Sequence, residues 1–138
     1  MGYRAKVYYH HTDCGGVVYY GAYLAFLEEA RTDFLARRGI DIGAFVKEKR
    51  YFVVAHQEID YVFPARYGDT LDIETRVDEV GGVRIALRHR IVNARGQEVV
   101  RARTVLAFID TTFKPRPLPA AVREKIPGGE TTGEKEHA

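Results

Sequence analysis

A chain of 138 residues, 46% of them hydrophobic and 29% charged, has the size and balance of one ordinary folded domain, which excludes the disordered and fibrous classes. No run reaches the roughly 20 apolar residues that a bilayer span needs, the opening MGYRAKVYYHHTD lacks the apolar stretch of a signal peptide, and the single cysteine, Cys14, cannot form an intrachain disulfide, so a cytoplasmic protein is expected. The formal charge is only +2, yet residues 84–116 hold eight Arg or Lys against Glu98 and Asp110, a bias that suits either an anionic ligand or strand residues facing water.

Residues 3–9 alternate, with Tyr3, Ala5, Val7 and Tyr9 on one face, which predicts a half-buried strand. After Gly15 and Gly16, apolar residues at Tyr23, Leu27, Ala30 and Phe34, widened by Leu24, Phe26 and Leu35, predict a helix over 19–38 that is buried on most of its surface. Arg37, Arg38 and Gly39 suit its C-terminus. A short second helix is expected within 41–49, with Asp41 as N-cap. Residues 51–63 read as a long strand with Tyr51, Val53, Ala55, Ile59, Tyr61 and Phe63 on one parity, stopped by Pro64. Strict alternation over 70–80, a Gly81-Gly82 turn, apolar residues at Val83, Ile85, Leu87 and Ile91, a turn over 93–96 and a last strand over 97–109 predict a three-strand meander.

The tail from Pro127 is rich in Gly, Thr and charge and is expected to stay disordered, leaving one domain over residues 1–126. The predicted class is α+β, an antiparallel sheet covering one buried helix, with open edges suited to pairing with a second copy.

The segment from Asp13 to Leu24 joins a strand to the buried helix through two glycines. Asp13 is expected just ahead of the helix N-terminus, where unpaired N–H groups and the dipole favour negative charge, an oxyanion included. A carboxylate and amide donors together are what acyl transfer needs. The plainer role for Asp13 is an N-cap or turn residue, worth about 1 kcal/mol. Cys14 has no recognisable His and acid partners and is expected to be a small buried or partly buried residue. His10 and His11 point to opposite faces of a strand without a third ligand, so no metal site is expected. No nucleophile elbow, Walker loop, dinucleotide fingerprint or paired C-x-x-C occurs.

The segment DCGGVVYYGAYLAFLEEAR resembles the signature of 4-hydroxybenzoyl-CoA thioesterase and the related YbgC-type acyl-CoA thioesterases. HQEIDYVFPARYGDTLDIE resembles that family's second strand and following loop, and the element order from about residue 3 to 112 is similar too. The resemblance implies a hotdog fold and hydrolysis of an acyl-CoA thioester, with coenzyme A as part of the substrate and neither metal nor redox cofactor. It also implies that Asp13 is the catalytic carboxylate, as nucleophile or general base, that Gly16 shapes the loop, and that the backbone N–H of Tyr20 polarises the carbonyl. Many YbgC-like members have His or Asn at the Tyr20 position, whereas the hydroxybenzoyl enzyme has Tyr, so the acyl group stays open.

Val18, Tyr19 and Tyr23 are candidates for contact with substrate, and Tyr8, Tyr9, Phe26 and Tyr51 could join an aromatic pocket or belong to the core. Arg84, Lys114 and Arg116 are candidates for the coenzyme's phosphates. A homodimer or dimer of dimers is expected. Two other readings stay open, an acyl-thioester hydratase or dehydratase and a non-catalytic acyl-CoA binding module. A nucleic-acid partner is not expected, because the arginines are dispersed along alternating strands.

Overall fold

The computed structural model describes residues 2–126, so the expected disordered tail lies outside the described residues. In chain order the elements are β1 (Tyr3–Lys6), α1 (Tyr20–Arg37), α2 (Ile42–Lys47), β2 (Tyr51–Tyr61), β3 (Thr70–Val80), β4 (Arg84–Asn93), β5 (Glu98–Ile109) and α3 (Ala120–Lys125). The strands form one five-stranded antiparallel sheet in the order β1-β3-β4-β5-β2. The α+β class and the β3-β4-β5 meander are as the periodicity predicts. No helix among the described residues is long and apolar enough to cross a membrane.

Local chemistry sets the boundaries. Gly39, at φ +77°, adopts the left-handed cap conformation, and the N–H groups of Gly39 and Ile40 close onto the carbonyls of Ala36 and Leu35, which stops α1. Asp41 caps α2 by accepting from the Gly43 N–H at 2.9 Å.

Four expectations need correction. The first strand ends at Lys6, because its partner β3 begins at Thr70 and the register pairs Lys6 with Thr70. The chain then turns through a short 3-10 segment over Tyr9–His11, leaving Tyr9 80% exposed. Ala55 and Tyr61 in β2 are exposed, since β2 is an edge strand with only β5 beside it. Cys14 is exposed, not buried. Leu24 also faces outward from α1, and α3 has no counterpart among the predicted elements.

The described chain divides into two compact units. The first comprises residues up to Phe34, Ile59–Thr75 and His89–Ala102, and the second comprises Leu35–Glu58, Arg76–Arg88 and the chain from Arg103. In the first, Ala22, Phe26, Leu27 and Ala30 of α1 share a core with Leu71, Ile73, Ile91 and Val99 of the strands. Burying each of the larger side chains contributes roughly 1.5–3 kcal/mol. In the second, the rings of Phe45, Phe52 and Phe108 pack together at tilted and edge-on angles. Its C-terminal segment is tied down by the Leu118 N–H and Arg123 Nη2, both donating to the Gly82 carbonyl.

His89, like Asn93 at the strand's end, is a polar exception on the apolar face of β4. It is almost wholly buried, its Nδ1 lies 3.0 Å from Thr75 Oγ1, and its Nε2 has no hydrogen-bond partner among the described residues. Burial, reinforced by the nearby Arg31 charge, pushes its pKa down to about 4, so the folded state holds the ring neutral where the unfolded chain takes up a proton. Stability is therefore full above about pH 6.5 and falls as the pH drops toward 4. The expected loss attributable to His89 is about 2 kcal/mol between pH 7 and pH 5. Urea unfolding of the wild type and His89→Leu at both pH values checks this; an equal loss in the variant would assign the acid sensitivity to other groups.

Candidate active site

The segment around Asp13 is a small hairpin. Thr12 bridges Val18, the Asp13 N–H donates to Val17 O at 2.9 Å, and the Gly16 N–H closes the turn on Asp13 O at 3.1 Å. Gly16 has φ +81° with open space where a Cβ would stand, so backbone conformation alone demands glycine there. The exposed carboxylate of Asp13 accepts from the Gly15 N–H through Oδ1 at 2.8 Å, an Asx-type turn. Its Oδ2 has no protein partner among the described residues.

α1 begins only at Tyr20, with the extended residues Val17 and Val18 between. Asp13 therefore does not cap α1, contrary to the simplest expectation for an aspartate preceding a helix. The Tyr19 N–H is used by His11 O and the Ala22 N–H by Tyr19 O, whereas the N–H groups of Tyr20 and Gly21 find no acceptor among the described residues. Free amides at a helix start are the donors an oxyanion would meet.

Ala65 anchors this hairpin. It is fully buried, its carbonyl accepts from the Val18 N–H at 2.8 Å, and its own N–H donates to Tyr23 Oη at 3.2 Å. Val17 also bridges Arg66. Val18 and Tyr23, expected against substrate, are thus core residues holding the loop; burial raises the Tyr23 phenol pKa. Tyr19 and Tyr20 are exposed, as are Tyr8, Tyr9, Tyr61 and Tyr67. Tyr61 Oη reaches the Tyr20 carbonyl at 3.5 Å. The His10 and His11 rings lie 3.9 Å apart, and His11 Nδ1 is taken by the Tyr8 N–H. The Phe-Pro-Ala run containing Ala65 belongs to the second segment quoted above, yet nothing in its spacing announces that it latches the first.

The basic candidates lie in the second unit and differ in what already engages them. Arg116 Nε donates to Asp110 Oδ2 at 2.9 Å. Asp110 also accepts from Thr112 Oγ1 and the N–H groups of Thr112 and Lys114, which hold its carboxyl far below the usual carboxylate range. Arg84 and Lys114 have no side-chain partner among the described residues. Asp78, buried, receives Arg88 Nε at 3.0 Å and Arg103 Nε at 2.6 Å. Burial raises its pKa, but the guanidinium hydrogen bonds outweigh that and lower it. On β2, His56 Nε2 sits 3.0 Å from Glu58 Oε2, both exposed.

Residues 7–126 match the family model described as the thioesterase-like superfamily. An acyl-CoA thioester hydrolase, YbgC, of Escherichia coli O6:H1 is 37% identical over 118 residues, spanning 85% of this chain and 88% of the relative. A 1,4-dihydroxy-2-naphthoyl-CoA hydrolase of Synechococcus elongatus is 30% identical over 116 residues, spanning 82% and 85%. Among solved structures, a 1,4-dihydroxy-2-naphthoyl-CoA thioesterase from Synechocystis superposes with a TM-score of 0.84 at 27% identity, covering 90% of this chain and 93% of that one.

Tyr23→Phe leaves the ring in place and strips the buried Ala65 N–H of its acceptor. The expected cost is about 1–3 kcal/mol, read as a lower denaturation midpoint, with faster amide exchange at Ala65. Unchanged exchange at that amide would mean that the hydroxyl does not hold the loop.

Proposed function

Because the chain belongs to the thioesterase-like superfamily over residues 7–126, we propose that it hydrolyses an acyl-CoA thioester to the free acid and coenzyme A. The observation that carries the chemistry is the pairing, in one unit, of an Asp13 carboxylate oxygen and two amides at the start of α1, none of which has a partner among the described residues. Relatives of similar length named as acyl-CoA and naphthoyl-CoA hydrolases support the substrate class.

In this reading the thioester carbonyl accepts from the Tyr20 N–H, which stabilises the oxygen as it gains charge. Asp13 either attacks the carbonyl carbon, forming an anhydride that water then opens, or takes a proton from a water that attacks directly. In both routes the C–S bond breaks and coenzyme A leaves as the thiol, its proton coming from the water consumed. In the direct route the second oxygen of the product acid derives from that water; in the anhydride route it derives from water attacking the acyl carbon, or from Asp13 when water attacks the Asp13 carboxyl carbon. Gly16 supplies the turn that presents Asp13. The exposed Tyr19 flanks the helix start on the substrate side. Arg84, Lys114 and Arg116 meet the coenzyme's phosphates, Arg84 and Lys114 most readily, since neither has a side-chain partner among the described residues.

The enzyme acts as a homodimer or dimer of dimers. Support comes from β2, an 11-residue edge strand with β5 as its only strand neighbour among the described residues and with Val54 in its exposed surface. Such an edge is a template for a second copy.

Asp13→Asn retains an amide oxygen for the Gly15 N–H, so the loop should persist. Thiol release from a panel of short, long and aromatic acyl-CoAs should fall roughly 100- to 10,000-fold in this variant, with an unchanged circular dichroism melt. Release unaffected by the substitution would return Asp13 to a turn residue; tight binding without release would favour a binding module, and hydration of an enoyl-CoA would favour a hydratase. Sedimentation equilibrium at micromolar concentration should give at least twice the 15.6 kDa chain mass, and Val54→Lys should lower it; a wild-type monomer would remove the assembly from the proposal.

A further inference from the structure

Between β1 and the Asp13 hairpin the chain makes one 3-10 turn over Tyr9–His11, and the side chain of His11 closes it. Its Nδ1 accepts the Tyr8 N–H at 2.9 Å, while the His11 N–H donates back to the Tyr8 carbonyl at 3.0 Å. The ring is half-buried, with its centroid 4.7 Å from that of Phe26 on α1. The His11 carbonyl in turn accepts the Tyr19 N–H at 3.1 Å, and Thr12, the next residue, bridges Val18. One residue therefore ties the turn ahead of Asp13 to the chain entering α1, directly before the Tyr20 amide.

We infer that His11 is a positioning residue for the reaction, holding Asp13 and the Tyr20 amide in register through its neutral ring, and that it makes turnover fall in mild acid. The inference rests on the acyl-CoA reading above and adds a residue that acts through the backbone and not on substrate. A nitrogen that accepts an amide hydrogen bond needs its lone pair, so the bonded ring is the Nε2–H tautomer. Protonation puts a second N–H where the acceptor was, donor facing donor. The bond is therefore present above the His11 pKa and lost as the pH falls through it. The surroundings favour the neutral form. Burial, then the charge of the His10 ring 3.9 Å away, holds the His11 pKa below its ordinary 6.5, and Glu29 on α1 opposes them. The Tyr8 ring lies within 6.3 Å of both histidines, with Lys6 Nζ of β1 5.9 Å from that ring.

The test follows kcat and KM between about pH 8 and pH 5 for the acyl-CoA turned over fastest, in wild type, His11→Asn and His11→Phe. Near-ultraviolet circular dichroism at each pH keeps global unfolding apart. Asn offers an Oδ1 where Nδ1 stood and does not titrate; Phe keeps a ring against Phe26 but offers no acceptor. Wild-type kcat should fall at least about threefold across this range. His11→Phe should lower kcat about tenfold at the upper end, the size of one lost hydrogen bond, with KM within about twofold of wild type. His11→Asn should restore most of that loss and flatten the acid fall. A wild-type kcat in His11→Phe, equal losses in the two variants, or an acid fall that survives in His11→Asn would overturn the inference while leaving the thioesterase reading intact. Nuclear magnetic resonance reads the same device without turnover. Wild-type His11 should show the Nε2–H tautomer, and the Tyr8 and Tyr20 amide signals should move as it titrates; amides indifferent to that titration overturn the inference. If the wild type hydrolyses no acyl-CoA, the catalytic reading fails separately, and coupled amides still support His11 as the residue that holds the loop.

Discussion

A fully buried peptide unit has no water to turn to, so both its N–H and its C=O must find partners in the protein. Ala65 meets that requirement with Tyr23 Oη and the Val18 N–H, and in doing so binds two stretches distant in sequence. The hairpin over 12–18 can then carry a left-handed Gly16 and an exposed carboxylate without drifting. The same geometry delivers the chain to α1 through Tyr19, whose own N–H is consumed by the His11 carbonyl, and the next two amides find no acceptor among the described residues, where a reacting carbonyl could use them. The candidate site is thus largely what remains after the loop's own hydrogen bonds are assigned.

The same distinction between matched and unmatched groups organises the charges. Asp78 and Asp110 each gather cations or N–H donors tightly enough to stay ionised despite little exposure. Arg88, Arg103 and Arg116 are therefore positioning and stability elements first, and the excess positive charge over residues 84–116 shrinks to Arg84, Lys114 and the rim of the strands. His89 is the opposite case, a buried ring with one nitrogen unmatched among the described residues that stays neutral because charging it would cost desolvation beside Arg31.

Periodicity made β3 legible to the residue, because its alternation of Leu71, Ile73, Thr75 and Val77 with charged residues runs unbroken between Gly68-Asp69 and Gly81-Gly82. α1 was legible for the same kind of reason, with Gly39 marking its end. Alternation was less informative at Tyr9, where the apolar parity continues in sequence but the partner strand has run out, and along β2, where an apolar parity does not reveal that one side of the strand has no neighbour. α3 is too short for its buried Val122, with Ile126 just past its end, to form a readable stripe.

By itself the sequence determined the element types, the turn glycines, and the motif that brings Asp13, Gly16 and Tyr20 into one short segment, since all of these depend on local conformational preference or spacing along the chain. Tertiary structure alone decided which aromatic residues are spent on packing and which stay available, and which cations are already paired. Tyr23 and Tyr20 are three residues apart and read alike, yet one is buried beneath Ala65 and the other is exposed. The reason is physical: burial and hydrogen-bond satisfaction depend on partners brought in from elsewhere in the chain, here Ala65 from 42 residues away, and no local pattern encodes where those partners arrive.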